Sequence, residues 1–337
     1  MEKNLFLPLD MDVGKYRQIR VLISFMKQFG WVTGKSLCSM YYVNCIFYWK
    51  LIFSYWHLDC ASDYGNEKEV GQGIKKAIDA GLVCRQDLWI TSKLWNTYHE
   101  PQYVKAACQK SLEDLGLTYL DLYLIHFPIS LKFVPFETRY PPEWFHDPNT
   151  ENPRMELIDV PVQDTWKAME SLVQDGLVNH IGLSNFNASG LRDVWSYAKV
   201  KPSVLHIELH PYLQQWRLLR YAQSLGLHVT AYSPMGHGAS YFNDSIAAIR
   251  EPIVKELAQK HGVSEAQIVL RFGNQRGCSV IPKSNHLERI EQNLNIFGFD
   301  MTTEEMEKMK SLDRHLRFND PAIYCEKFFN TFCTIFD

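Results

Sequence analysis

Residues 88–126 read LWITSKLWNTYHEPQYVKAACQKSLEDLGLTYLDLYLIH. A short apolar run, Leu88–Ser92, leads into an amphipathic helical pattern, Gln102–Leu115, closed by Gly116 at a C-cap position, and then into a second apolar run, Leu122–His126. Strand, helix and strand in this order form the unit of a parallel sheet, because two parallel strands need a crossover long enough to hold a helix. The same alternation extends to both sides. Further strands are expected at His57–Cys60, His180–Ser184, Val204–Leu209, His228–Ser233 and Cys278–Ile281. Helices are expected between them at Glu67–Ala80, Val162–Gln174, Trp216–Leu225, Pro252–His261 and Ser264–Gln275, several ending at a glycine (Gly81, Gly176, Gly226, Gly262).

Seven strands are visible, and an eighth would have to come from residues 1–56. Units of this length suit a closed eight-fold barrel or a doubly wound sheet, and both place active groups at the carboxyl ends of strands. Asp59, Lys93 and His126 fall there, as do Ser184, Glu208 and Ser233, while Tyr64 lies just past the first run. A phenol, with a pKa of about 10, is a poor acid at neutral pH unless a cation stabilises its phenolate. Lys93 can supply that cation and Asp59 can hold it, so the four groups together read as a proton-donating site. Singly they read otherwise: Asp59 as a turn acid, Tyr64 as a half-buried aromatic, Lys93 as a surface charge and His126 as a core histidine.

Composition removes other classes. The 337 residues carry 35 Lys and Arg against 38 Asp and Glu, with no basic stripe, which argues against a nucleic-acid partner. Eight cysteines are scattered without a CxxC pair or a histidine cluster, so thiols in a reducing compartment are expected, and no metal site. Residues 1–14 lack a basic start followed by an apolar core, and a cytoplasmic location is expected. Leu37–Trp56 is apolar and aromatic and approaches the roughly 20 residues of a membrane span. Strand-like His57–Cys60 follows it with no room for an interfacial linker, so buried strand and helix are expected there instead.

Two phosphate motifs fail on spacing. Gly71-Gln72-Gly73 lies in a helical pattern with Lys76 where a dinucleotide fingerprint wants its third glycine, and residues 30–36 (GWVTGKS) are one residue short of a P-loop. A better anion site is Ile281–Arg289. A strand ends at Ile281 and a helix begins near His286, so its first amides, Lys283 and Arg289 can converge on one phosphate, unless the two cations are solvated surface charges.

Six blocks then fall in a familiar order: His57-Leu58-Asp59-Cys60-Ala61, Asp63-Tyr64-Gly65-Asn66-Glu67, Thr91-Ser92-Lys93-Leu94-Trp95, Leu124-Ile125-His126-Phe127-Pro128, Gly182-Leu183-Ser184-Asn185-Phe186 and Ile281-Pro282-Lys283-Ser284. From about residue 57 to 320 the chain resembles the aldo-keto reductases. Phe127, the insert Phe133-Val134-Pro135 with Tyr140-Pro141-Pro142, and Leu316-Arg317-Phe318-Asn319-Asp320-Pro321 are most similar to the xylose reductase branch. The resemblance implies a (β/α)8 TIM-type barrel binding NADPH, with NADH possible, and reducing a small carbonyl substrate such as an aldose. Asp59, Tyr64, Lys93 and His126 become its catalytic tetrad, with Tyr64 as proton donor.

The same resemblance implies cofactor contacts. Ser184 and Asn185 match positions holding the nicotinamide carboxamide, and Tyr232 matches the aromatic stacked on its ring. Ser233 and Met235 begin the pyrophosphate loop; Lys283, Ser284, Asn285 and Arg289 match the 2′-phosphate pocket, with Gln292 and Asn293 on the adenine side. His206 stands where the family usually has glutamine and can copy only part of an amide's hydrogen bonding. Asp63, Phe127 and Asn319 match substrate positions beside His126.

Three segments are implied: a divergent 1–56, a barrel over 57–320 and a tail over 321–337. Residues 1–56 match none of the family's opening blocks, so the first barrel strand is atypical or missing, with Val21–Phe25 or Tyr42–Phe47 as surrogates. An incomplete barrel would expose strand edges. This leaves a cofactor-binding regulatory protein or an inactive fragment as alternatives to a reductase. A monomer or a homodimer is expected.

Overall fold

The structure is a computed structural model that describes residues 56–236, 247–284 and 286–336. Seven strands form one parallel sheet in chain order: β1 (His57–Asp59), β2 (Trp89–Leu94), β3 (Leu120–Ile125), β4 (Val178–Ser184), β5 (Val204–Glu208), β6 (His228–Tyr232) and β7 (Cys278–Val280). Every neighbouring pair is parallel, with Asp59 opposite Thr91, Lys93 opposite Leu124, and Ser184 opposite His206. Sequential order with a helix after each crossover is the arrangement of a (β/α)8 barrel and excludes the doubly wound sheet, whose strand order reverses at a switch point. The sheet's outer edges are β1 and β7. Both surrogate strands and nearly all of the apolar stretch 37–56 lie outside the described residues, among which no helix is long and apolar enough to cross a membrane.

The helices that cover the strands are α1 (Glu67–Asp79), α2 (Pro101–Leu115), α3 (Val162–Gln174), α4 (Ala188–Tyr197), α5 (Trp216–Ser224), α6 (Pro252–His261) and α7 (Glu265–Gln275), with α8 (Leu287–Leu294), α9 (Thr303–Lys310) and α10 (Pro321–Phe329) after β7. Pro101 opens α2, where a missing N–H costs nothing, and Gly116 ends it with a φ of 66°. Residue 71 must be glycine for a packing reason. A Cβ there would lie 2.5 Å from Leu115 O, so the absent side chain is what lets α1 close onto the end of α2.

Period-2 alternation along the strands divides the interior in two. Ile90, Leu94, Tyr123, Ile125, Ile181, Leu183, Leu205, Ile207 and Val229 join helix residues such as Val70, Ile74, Val104, Leu112, Trp166, Met169 and Leu219 in the main core between sheet and helices. On the other face only Leu122, Leu124 and Val204 cluster, with Trp89 packed against them. Polar side chains occupy the rest of that inner face. Ser92 and Lys93 show the division: Ser92 Oγ turns outward and donates to Glu67 of α1 at 2.6 Å, while Lys93 Nζ turns inward and donates to Asp59 at 2.6 Å.

Candidate active site

The inner polar side chains collect at the carboxyl ends of the strands, where the barrel reading puts them. Asp59 is the last residue of β1, Lys93 is near the end of β2, and His126 directly follows β3, its backbone N–H still donating to Leu94 O at 3.1 Å. Tyr64 ends the short 3₁₀ turn Ser62–Tyr64, which Gly65 closes with a φ of 64°. Lys93 Nζ uses all three of its protons: to Asp59 Oδ2 at 2.6 Å, Cys60 O at 2.8 Å and Tyr64 Oη at 3.1 Å. The ammonium is wholly buried. The Tyr64 residue is 47% exposed, so its ring borders the mouth of the barrel while its hydroxyl reaches in to Lys93.

The electrostatics follow from this packing. Burial opposes the charge on both Asp59 and Lys93, but each partner outweighs that cost for the other: Asp59 is held far below the usual carboxylate range, and Lys93 is held above the usual ammonium range. Tyr64 is raised, first by burial of its hydroxyl end; Lys93 pulls it down and Asp59 cancels part of that pull. Tyr64 is therefore a neutral phenol with its proton in place. Burial and the nearby Lys93 push His126 well below the ordinary histidine value, so its ring is neutral. That ring meets Tyr64 edge-on at 6.0 Å and Trp95 at 5.3 Å, and stacks on Phe127 at 4.9 Å.

A second string of hydrogen bonds crosses the same end of the sheet. Asn319 Nδ2 donates to Tyr232 Oη at 2.9 Å, Tyr232 Oη to Asn185 Oδ1 at 2.5 Å, and Asn185 Nδ2 to His126 O at 2.8 Å. Ser184, Asn185, His206 and Tyr232 are thus brought together beside the tetrad. His206 stacks on Tyr232 at 5.1 Å, contacts Ser184 Oγ through Nδ1 at 3.0 Å, and faces Asp59 Oδ1 with Nε2 at 3.3 Å. Among the substrate candidates, Phe127 is buried against Trp95 and Trp144, and Asp63 is half-buried with its carboxyl pushed up to about 7 by burial and by Glu143.

Sequence reasoning gave no role to two contributors, although it placed one of them, Glu208, at a strand end. Trp95 is fully buried, packs edge-on against His126 and Trp144, and donates Nε1 to Glu143 O. Glu208 lies at the end of β5; its carboxylate accepts the Phe318 and Asn319 N–H groups at 2.8 Å each and contacts His210 Nε2 at 2.8 Å. This fixes the segment that carries Asn319. The signal was present in Val204-Leu205-His206-Ile207-Glu208, where polar residues alternate within a buried strand and must face the barrel interior.

The phosphate candidates stand apart from the tetrad, beyond β7. Lys283, Arg289 and Gln292 are exposed, Ser284 is half-buried and Asn293 is buried. No side chain caps the amino terminus of α8, and Lys283 and Arg289 make no ion pair among the described residues. An uncapped helix start flanked by two uncommitted cations fits a phosphate. Asn285 lies outside the described residues. Ser233, at a φ of 48°, and half-buried Met235 lead into 237–246, which also lie outside them.

The Aldo/keto reductase family profile matches residues 52–314, and the chain belongs to that family. It is 49% identical over 269 residues to the NAD(P)H-dependent D-xylose reductase I,II of Candida tropicalis, covering 78% of this chain and 82% of that one. A probable NAD(P)H-dependent D-xylose reductase of Arthroderma otae is 44% identical over 300 residues, covering 87% and 89%. Among solved structures, the aldose reductase from Schistosoma japonicum superposes with a TM-score of 0.76 at 38% identity, and the Bombyx mori aldo-keto reductase in complex with NADP with 0.76 at 36%; each match covers 88% of this chain and 90% of the other.

Proposed function

We propose that this chain reduces an aldehyde or an aldose of the xylose type to the alcohol, using NADPH and accepting NADH, with Tyr64 as the proton donor. The observation that carries this reading is the position of Lys93 Nζ, bonded at once to Asp59 Oδ2 and Tyr64 Oη inside a buried pocket. A binder has no use for an ammonium fixed against a phenol. A proton donor does, because the phenolate left after transfer sits beside a permanent positive charge.

Reduced nicotinamide, when bound, would supply the hydride for the carbonyl carbon. Ser184, Asn185 and Tyr232 would hold its ring end, and Lys283 and Arg289 its phosphate end. Tyr64 gives its proton to the oxygen as alkoxide charge develops there, and Lys93 stabilises the phenolate that remains. Neutral His126 orients the carbonyl oxygen by hydrogen bonding. Asp63 and Asn319 are the polar groups offered to sugar hydroxyls, and Phe127 the apolar wall. The names of the curated relatives and the NADP complex of the silkworm structure support both substrate class and cofactor.

NADPH oxidation with xylose and with glyceraldehyde is the direct test. Turnover with both, lost in Tyr64→Phe, is expected. Tight NADPH binding without turnover would mark the protein instead as a cofactor-binding regulator.

A further inference from the structure

His206 does more than its position beside Ser184 requires. Its ring is buried between the two strings of hydrogen bonds at the mouth of the barrel, and each nitrogen faces a different one. Ser184 Oγ already receives the Asn185 Nδ2 proton at 3.2 Å, so its own hydroxyl proton is free to go to His206 Nδ1. Nδ1 is then an acceptor, and the neutral ring carries its proton on Nε2. That nitrogen lies 3.3 Å from Asp59 Oδ1. Both are buried atoms with no other hydrogen-bond partner, each the nearest complement the other has in this interior. The opposite tautomer would leave the Ser184 proton without an acceptor and set a nitrogen lone pair against a carboxylate.

We propose that His206 is a positioning residue for the proton donor: its Nε2–H holds Asp59 Oδ1, leaving Oδ2 to fix Lys93 against Tyr64. Asp59 is then gripped from both sides, by Lys93 from β2 and His206 from β5. Burial keeps the His206 ring neutral although Asp59 pulls the other way. Besides Lys93 and Tyr64, the titratable groups facing this cluster are His57 on β1 and His126 after β3, both held neutral by burial, Asp63 beside Tyr64, pushed up to about 7 by burial, and Tyr232 stacked on His206, raised well above the ordinary phenol value by burial. A donor on Oδ1 draws off part of the carboxylate charge. More of the Lys93 field then acts on Tyr64, which makes the phenol a better acid.

The inference rests on Tyr64 as proton donor, which fails separately if Tyr64→Phe keeps its turnover. In His206→Leu the donor is gone: kcat should fall about tenfold with little change in KM, since a hydrogen bond to a charged group is lost. The alkaline limb of the kcat profile should move to higher pH. His206→Gln restores a donor at the Nε2 position and should recover both most of the rate and the wild-type limb. If leucine and glutamine variants fall alike with the limb unmoved, His206 only fills space and the proposal is overturned. Histidine nitrogen NMR of the unliganded wild-type protein, with His206→Gln for assignment, decides the tautomer without turnover or refolded variants. A proton on Nε2 supports the proposal; a proton on Nδ1 alone overturns it.

Discussion

Two charged regions of this barrel are built in opposite ways. At the β1–β3 side, Lys93 is wholly buried with every proton committed, and Asp59, Tyr64 and His126 are packed around it. Beyond β7, Lys283 and Arg289 are exposed and without ion pairs among the described residues. The difference is one of solvation. A buried charge costs several kcal/mol unless its partners are already in place, so the cluster around Lys93 must be assembled before any ligand arrives. An exposed cation is solvated by water and can wait for its anion at little cost.

Substitutions on the two sides should therefore differ in kind. The largest effect is expected for Tyr64→Phe, which removes the proposed donor and leaves Lys93 with Asp59: kcat should fall about 10²- to 10⁴-fold while NADPH affinity, measured by fluorescence titration, stays near wild type. Lys93→Met comes next, because it strands the Asp59 carboxylate in the interior. A stability loss of about 3–5 kcal/mol is expected in denaturant titration, partly recovered in the double variant with Asp59→Asn. A loss below about 1 kcal/mol would mean that water reaches Asp59 and that the two regions are less different than they look.

Replacing both Lys283 and Arg289 by alanine should do the reverse. Affinity for NADPH should fall about tenfold to a hundredfold, more at low salt than at high salt, with NADH affinity little changed and stability within about 0.5 kcal/mol. Equal losses for both cofactors would remove the phosphate reading of this loop. The smallest effect is expected at Asp63, which stands between the two extremes as a half-buried acid. Its folded value of about 7 lies above the ordinary carboxylate value of 3.8, so the folded state binds the proton more tightly in that window. Stability from this group declines as pH rises from about 4 to about 7, and Asp63→Asn should gain about 2–4 °C in Tm over wild type across that range, then run parallel above it.

Much of this molecule was legible in its sequence. All seven described strands overlap the apolar runs that predict them, with ends that shift by up to two residues, and α3 and α6 match residue for residue, because buried parallel strands and amphipathic helices have different periods. The strand expected at Leu122–His126 is Leu120–Ile125 instead: Leu120 is buried and Asp121 accepts the Ile90 N–H at 2.9 Å, so an acid that looks like a loop residue belongs to the sheet. Helix α4 was not read from its sequence, since Ala188–Tyr197 carries only Leu191 and Val194 as buried residues and its pattern is faint.

The sequence alone determined the succession of strands and helices, the four catalytic candidates at strand ends and the cationic loop after β7. Local periodicity and motif spacing suffice for these, as each is encoded within a few tens of residues. Only the tertiary structure decided which polar side chains meet. Asp59 and Lys93 are 34 residues apart, and Glu208 reaches Asn319 over 111 residues. His206 faces Asp59 from a strand that is not adjacent in the sheet. Contacts of that kind are made as the sheet curls around a narrow interior, where burial favours the pairing of polar atoms, and no local pattern in the chain records which partner each one finds.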